Sequence, residues 1–332
     1  MKTAVVILNW NGRALLEKFL PSVVQHSEEA RIYVADNASS DDSVEFLKEF
    51  FPQVEIIEIK ENLGYAGGYN EALKKVSEEL VILLNSDVEV TPNWLPPIIS
   101  AFEKQAEVAA VQPKILDYKR KEFFEYAGAA GGFIDKFAYP FCRGRIFQHL
   151  EKDTGQYNDE TFIFWASGAC LAVRKSIFFE VGALDEDFFA HQEEIDLCWR
   201  LKNFGYKVKY VSASKIYHVG GGTLEMMNPR KTFYNFRNSL YLILKNVEGS
   251  EVYYILLGRM VLDGIAGIKF IIEGKFQHFI QILKAHGSFY QNFFRMKKKR
   301  RKGSNTGKYY EVPSVVYAHY IERKNEFREL KK

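Results

Sequence analysis

From residue 3 to residue 87 the chain alternates short apolar runs with amphipathic stretches. The runs are AVVIL (4–8), IYVAD (32–36), VEIIEI (54–59) and LVILLNSD (80–87). Between them, apolar residues recur at helical spacing over about 14–25, through VEFLKEF, and near 68–76. Strands alternating with helices in this way predict a parallel sheet covered by helices on both faces. Sheets of this kind bind ligands beyond the carboxyl ends of their strands. Here those ends are polar: Asn9-Trp10-Asn11-Gly12, Asp36-Asn37, Asn62-Leu63-Gly64 and Asn85-Ser86-Asp87. Four polar strand ends on one edge predict a crevice of nucleotide size.

The pattern is less regular over about 115–165, where glycines and aromatics (YAGAAGGFIDKFAYPF) predict long loops and short strands. FWASGACLAVRK (164–175), an acid-fronted helix, the strand KVKYV and SKIYHVGGG (214–222) follow. After Asn228 three helices are expected, over 229–246, 251–273 and 275–294. The second is nearly long enough to span a bilayer, but Arg259, Asp263 and Lys269 interrupt it, each costing about 2.5–3.5 kcal/mol at the membrane centre. A packed or interfacial helix is therefore predicted.

Composition narrows the class. A chain of 332 residues, 47% hydrophobic and 26% charged, is globular, with room for one large or two ordinary domains. Cys142, Cys170 and Cys198 are too far apart for a zinc motif and suit a reducing compartment. The first apolar run is too short for a signal peptide and reads as a buried strand. A net charge of +3 does not call for a nucleic acid partner, but MKKKRRK (296–302) concentrates positive charge near the C-terminus.

The stretch HQEEIDLCWRL (191–201) sets Glu193, Glu194 and Asp196 at the front of a helix. Acids favour helix N-termini, by roughly 0.3–1 kcal/mol each. Helical spacing places Leu197, Leu201 and Phe204 on one apolar face, with Cys198 on its flank and Glu194 on the same face one turn earlier. Asp196 is expected to point away and to pair with Arg200 on the surface. A carboxylate aimed at the protein body must be paired, bound to metal or set in a wet cleft. Elsewhere, NLGYAGGYN (62–70) lets the backbone approach a ligand or turn tightly into a helix, but is not a GxGxxG fingerprint. In LLNSDVE (83–89), Asp87 follows a buried strand at the ligand edge, a position suited to a divalent cation bridging a diphosphate. His218 is a candidate second ligand.

Taken in order, VVILNWNG, VADNASSDDS, NLGYAGGYN, LLNSDV, ASGACLAVRK, LDEDFFAHQEEIDLCWRL and YHVGGG resemble the family 2 glycosyltransferases, in particular their bacterial rhamnosyltransferase-like branch, over roughly residues 3–240. The resemblance implies a GT-A fold: an α/β, Rossmann-like, mostly parallel sheet flanked by helices, here with a C-terminal helical extension. The change of pattern after Asn228 divides the chain into a catalytic domain at 1–228 and an extension at 229–332. Residues 1–112 form the nucleotide-sugar-binding half, and 113–228 the acceptor half. The resemblance further implies a nucleotide-diphosphate sugar donor, a divalent metal (Mn²⁺ or Mg²⁺) and inversion at the anomeric carbon. Trp10 then stacks on the base and Asp36 and Asn37 contact base and ribose. Asn9, Asn11, Asn62, Gly64, Gly68, Asn85 and Ser86 complete the donor site. Asp87 and His218 bind the metal, with Asn85 where an acid often stands. Glu194 is the base, with Glu193 beside it as a cap or acceptor contact.

An inverting transfer needs one carboxylate to take the acceptor's proton. The donor is expected to be a UDP- or dTDP-sugar, and the acceptor a cell-surface glycan or lipid-linked oligosaccharide. A sugar nucleotidyltransferase, the rival enzyme class, wants a basic triphosphate loop after the first strand, where NWNGRALLEK offers only Gly12 and Arg13. A non-catalytic binding protein on the same fold has no need of Asp87, Glu194 and His218 together. The last two helices and the basic run 297–302 predict a cytoplasmic protein held peripherally on an anionic membrane face. Packing on the catalytic domain or on a second subunit is the other use for these helices.

Overall fold

The N-terminal apolar runs form strands β1 (Thr3–Asn9), β2 (Ala30–Asn37), β3 (Glu55–Ile59) and β4 (Leu80–Asn85), connected by helices α1 (Arg13–Gln25), α2 (Ser43–Phe50) and α3 (Gly64–Lys75). This computed structural model describes residues 1–220, 228–300 and 307–331; Gly221 and Gly222 of the glycine run, and Arg301 and Lys302 of the basic run, lie outside the described residues. The four strands pair in parallel in the order β4-β1-β2-β3. Ala4, Val5, Val6 and Ile7 are fully or almost fully buried, because helices cover both faces of the sheet. Leu8 lies opposite Asn85, Asn9 opposite Asp36 and Asn37 opposite Ile59, so the polar strand ends share one edge.

A turn at Ser86-Asp87 leads into β5 (Val88–Val90), α4 (Leu95–Lys104) and β6 (Val108–Asp117). The irregular middle holds β7 (Gly132–Ile134), β8 (Pro140–Cys142), β9 (Arg145–Ile146) and β10 (His149–Leu150), an antiparallel sheet of their own. There follow β11 (Glu160–Ile163), β12 (Cys170–Arg174), α5 (Lys175–Glu180), α6 (Glu193–Asn203) and β13 (Lys207–His218). The main sheet runs β11-β13-β6-β12-β4-β1-β2-β3, with β5 added to β13. This is the expected α/β architecture. One boundary differs: α3 starts at Gly64 rather than near 68, and the Asn62 side chain just before it accepts the Gly64 N–H at 2.9 Å.

The extension comprises α7 (Pro229–Asn246), α8 (Glu251–Ile272) and α9 (Phe276–Lys298), close to the expected bounds, followed by α10 (Val315–Tyr320). Two expectations need correction here. Asp196 is not on the surface. It is wholly buried, and accepts from Arg200 Nε at 2.8 Å, Lys245 Nζ at 2.8 Å and Asn246 Nδ2 at 2.9 Å. Helix α7 covers the flank of α6 that spacing within α6 alone assigns to water. Of the basic run expected at a membrane face, Lys299 and Arg300 are instead tied to the protein. Lys299 Nζ contacts Asp185 at 2.5 Å and Asp187 at 2.7 Å, and the Arg300 guanidinium donates to the Leu244 and Val247 carbonyls. Only Lys297 and Lys298 of the described part stay exposed with no acidic partner among the described residues. In α8 the Arg259–Asp263 pair, at 2.7 Å, turns inward, where Arg259 also donates to the Phe137 carbonyl. Among the described residues no helix is long and apolar enough to cross a membrane.

Candidate active site

The edge where β1 to β4 end is built from interlocking side chains. Asn9 Nδ2 donates to Asp36 Oδ1 and to Ser39 Oγ, both at 3.2 Å. Asn37 Nδ2 donates to Asn62 Oδ1 at 3.0 Å and to the Gly64 carbonyl, while its Oδ1 accepts from the Leu63 N–H. Asn9, Asp36 and Asn37 are all buried, so their side chains brace the loops as well as lining the edge. Asn11 Oδ1 accepts from the Ser40 N–H at 2.7 Å, which leaves the neighbouring Trp10 ring projecting with 54% of its surface exposed. Beyond Asp36, an open cleft of about 400 Å³ is lined by Ser39, Asp41, Glu58 and Lys60.

The glycines serve the framework. Gly64 has φ +68°, a left-handed conformation that favours glycine. A Cβ on Gly68 would lie 2.7 Å from Leu8 Cδ1 and 3.2 Å from Asn37 Nδ2. The close approach Gly68 permits is thus between α3 and the sheet.

A register detail unites the two metal candidates. His218, the last residue of β13, pairs with Val88 of β5, and the Val219 N–H donates to the Asp87 carbonyl. Residues 131 positions apart in sequence thereby meet: His218 Nε2 lies 3.1 Å from Asp87 Oδ1. On the other side of the ring, Nδ1 faces Glu125 Oε1 at 3.3 Å without a hydrogen bond. Asn85 Nδ2 stands 3.5 Å from Nε2, and Ser86 lies half-buried in the turn. Burial works against a charged imidazole here, yet the carboxylates of Glu125 and Asp87 overrule it and raise the His218 pKa to about 10. Burial likewise works against the Asp87 carboxylate, and His218 holds its pKa below the usual value. The cluster is therefore built around one positive charge, either a proton on His218 or a cation. Two donors bound about 2.1 Å from one octahedral cation, in adjacent positions, sit roughly 3 Å apart. The Asp87–His218 separation fits that geometry. No set of three such side chains is placed to hold a metal among the described residues. Two protein ligands are, however, what Mg²⁺-type ions commonly take when substrate phosphates supply the rest.

The opposing wall carries the carboxylate pair. The backbone before α6 is strained: Phe189, His191 and Gln192 have φ of +64°, +68° and +73°. It is held from α7. Asn238 Nδ2 reaches the carbonyls of Phe188, Ala190 and His191 at 3.1, 2.9 and 2.7 Å. Arg237 donates to the Asp187 and Phe188 carbonyls, and Gln192 Nε2 donates to Ser239 Oγ. Glu193 is buried and Glu194 half-buried, and each keeps one oxygen, Oε2, without a hydrogen-bond partner. Burial, reinforced by the charge of Glu194, pushes the Glu193 pKa well above the usual carboxylate range. Burial also raises Glu194, to about 7, while backbone N–H groups of Gly168 and Gln192 favour its charged form. Gly168 links the walls: its carbonyl accepts from Tyr65 Oη at 2.9 Å, and the next residue, Ala169, accepts from the Asn85 N–H at 3.0 Å. The pair thus stands one backbone bridge away from the Asp87 turn.

Sequence reasoning missed Glu125, Arg237 and Asn238. Glu125 lies in the irregular middle with no motif around it. Asn238 sits in an amphipathic helix whose polar positions read as solvent-facing; an Asn amid YNFRNSLYLIL was the one signal, because amides disfavour helix interiors.

The sequence model described as glycosyl transferase family 2 matches residues 4–182. The chain belongs to this family. As a glycosyltransferase it resembles the N-acetylglucosaminyl-diphospho-decaprenol L-rhamnosyltransferase of Mycobacterium tuberculosis, at 26% identity over 229 residues, 64% of this chain and 75% of that protein. Among solved structures, Staphylococcus aureus TarS 1-349 in complex with UDP-GlcNAc aligns with a TM-score of 0.58 at 16% identity, covering 90% of this chain and 84% of TarS 1-349. GalNAc-T7 with UDP, GalNAc and Mn²⁺ aligns with a TM-score of 0.54 at 16% identity, covering 78% of this chain but only 54% of that one. The shared architecture is GT-A-like.

Proposed function

We propose that this glycosyltransferase moves a sugar from a UDP- or dTDP-sugar to a hydroxyl of a cell-surface glycan or lipid-linked oligosaccharide, with inversion. The observation that carries this reading is the Glu193–Glu194 pair, with unbonded oxygens, at the start of α6 behind a strained loop and one backbone bridge from the Asp87–His218 turn. Glu194 takes the acceptor proton as that oxygen attacks the anomeric carbon. The bond to the diphosphate breaks, and the nucleoside diphosphate leaves from the opposite face. A pKa of about 7 suits a general base working near neutrality. Glu193, the more buried, stays protonated and keeps a second negative charge out of the site. The exposed Trp10 ring and the polar cleft beyond Asp36 suit a base and its ribose.

Asp87 and His218 are the residues we assign to Mn²⁺ or Mg²⁺. When bound there the ion supplies positive charge beside the departing diphosphate. Glu125, 3.3 Å behind the His218 ring, adds negative charge that favours a positive centre there. The mycobacterial relative, whose name includes both a rhamnosyl transfer and a diphospho-decaprenol, supports a deoxysugar donor and a lipid-diphosphate acceptor. A thermal-shift screen of nucleotide sugars with Mn²⁺ tests the assignment, since a ligand at 100 times its Kd stabilises by about 2.7 kcal/mol. We expect a UDP- or dTDP-sugar to shift the wild type, and Asp87→Ala to lose the Mn²⁺-dependent part. A wild type that no nucleotide sugar stabilises refutes the reading.

A further inference from the structure

Helix α8 turns its charges inward and its apolar residues outward. Arg259 and Asp263 are buried against the body of the protein. Tyr254, Leu257, Val261, Ile265, Ile268 and Ile272 are each more than half exposed. At 100° per residue these six fall within an arc of about 80°, opposite the buried pair. That outward stripe holds no charged residue along a helix of 22 residues, about 33 Å. Helix α9 lies beside it and exposes Phe276, Leu283, Tyr290 and Phe294 at the same periodicity. Tyr290 Oη meets Met260 Sδ, on the flank of the α8 stripe, at 3.3 Å, so the two helices present their exposed residues side by side. A contiguous apolar surface of this extent marks a contact with something other than water.

Its rim indicates what that is. Helix α9 carries Lys284, Arg295, Lys297 and Lys298 and no acidic residue. Arg295 is paired with Asp187, and Lys269 and Lys275 share Glu273. Lys284, Lys297 and Lys298 have no carboxylate partner among the described residues. A second copy of this chain brings the same surplus of positive charge on α9, with no acidic residue of that helix to neutralise it. An anionic lipid surface takes both the apolar face and its cationic border. Tyr253 and Tyr320, exposed at the margins, have the apolar body and polar tip suited to a headgroup layer.

We propose that the α8–α9 face lies in the plane of an anionic bilayer, with the apolar stripes inserted among the acyl chains and Lys284, Lys297 and Lys298 at the headgroups. The driving surface is thus the helix pair, and the basic run contributes only where it is not spent on Asp185 and Asp187. The same contacts give the docking a purpose. Arg295 and Lys299, at the end of α9, hold Asp185 and Asp187, just ahead of the loop that leads into Glu193 and Glu194 at the start of α6. A lipid-linked acceptor then reaches Glu194 by diffusion in two dimensions. This purpose rests on the transfer proposed above; the docking itself is read without turnover.

Flotation of the full chain with phosphatidylcholine vesicles, with and without phosphatidylglycerol, is the test. The wild type is expected to float with the anionic vesicles and to lose binding as salt rises. Lys284→Gln/Lys297→Gln/Lys298→Gln should weaken binding about fivefold per residue, roughly a hundredfold in all. Leu257→Glu/Ile265→Glu/Ile268→Glu should abolish flotation while keeping the wild-type circular dichroism and donor thermal shift. Ile272→Glu, at the exposed end of α8, gives the same readout with the least risk to folding. Three results overturn the proposal: a wild type that ignores anionic vesicles at low salt, face variants that float as well as the wild type, or a wild-type dimer that these variants split. A protein that floats but transfers no sugar refutes the transfer alone, and one that glycosylates a water-soluble acceptor without floating refutes the docking alone.

Discussion

Asn238→Ala probes how the loop ahead of the proposed base is held. The Asn238 amide reaches three carbonyls, of Phe188, Ala190 and His191, across a segment with three left-handed residues. Its NH₂ group has two hydrogens, so the three contacts share about two hydrogen bonds, worth about 1 kcal/mol each. Loss of the donors also leaves carbonyls underbonded in a buried place, which brings the expected destabilisation to about 2–3 kcal/mol. Left-handed conformations cost on the order of 1–3 kcal/mol each. Without the clamp the loop therefore relaxes, and Gln192 and the carboxylates after it shift. A displacement of about 1 Å at a catalytic group costs on the order of a hundredfold in rate. Urea unfolding measures the first effect and steady-state transfer the second. The account predicts a kcat about a hundredfold lower with donor affinity unchanged, because the donor edge is braced by Asn9, Asp36 and Asn37 instead. A variant that is destabilised as expected but keeps its kcat would show that the loop holds its geometry without α7.

Transfer should rise with pH through about 7, as Glu194 loses its proton, and a rate flat from about pH 5 to pH 8 contradicts that assignment. The sign for stability is opposite to that of a salt-bridged carboxylate. A raised folded pKa favours the protonated form, so the contribution is complete below the ordinary value of about 4.5 and is lost as pH rises toward about 7. Glu194→Gln should therefore raise the unfolding temperature at about pH 8 and leave it unchanged at about pH 4, which calorimetry checks. Lys245→Met removes the cation between Asp185 and Asp196, and should cost about 3–5 kcal/mol in urea unfolding because two buried carboxylates lose their partner. A loss under about 1 kcal/mol there would mean that Arg200, Lys299 and Asn246 suffice.

The fold was legible because its signals are local. Buried parallel strands are continuous apolar runs, and the polar residues after Leu8, Ala35 and Leu84 mark their ends. Motif order alone names Asp87 and His218 together, and the register of His218 opposite Val88 is what brings their side chains to 3.1 Å; the roles proposed for them and for Glu193 and Glu194 rest on that same motif order. What was not legible depends on elements packing from far along the chain. Asp196 looks like a surface acid until α7 covers it, and Asn238 and Glu125 carry no pattern that marks what they reach. The glycines of NLGYAGGYN leave open in the sequence a close approach to a ligand or a tight entry into a helix, and at Gly68 the close neighbours are Leu8 and Asn37. The inward turn of Arg259 and Asp263 follows from α8 packing on Phe137 and Tyr139, which the charge pattern of one helix does not show.

Glu194→Gln, measured for donor binding and for transfer side by side, tests the central claim most directly. The substitution keeps the size of the side chain and its acceptor for the Gly168 N–H, and removes only the basic oxygen. Isothermal titration with the nucleotide sugar and Mn²⁺ should give a Kd within about twofold of wild type, while transfer falls on the order of 10²- to 10⁴-fold, the range expected for loss of a general base. Glu193→Gln, at the carboxyl whose burial and neighbouring Glu194 charge favour the protonated form, should do much less. A Glu194→Gln enzyme that still transfers sugar at the wild-type rate contradicts the assignment of Glu194 as the base.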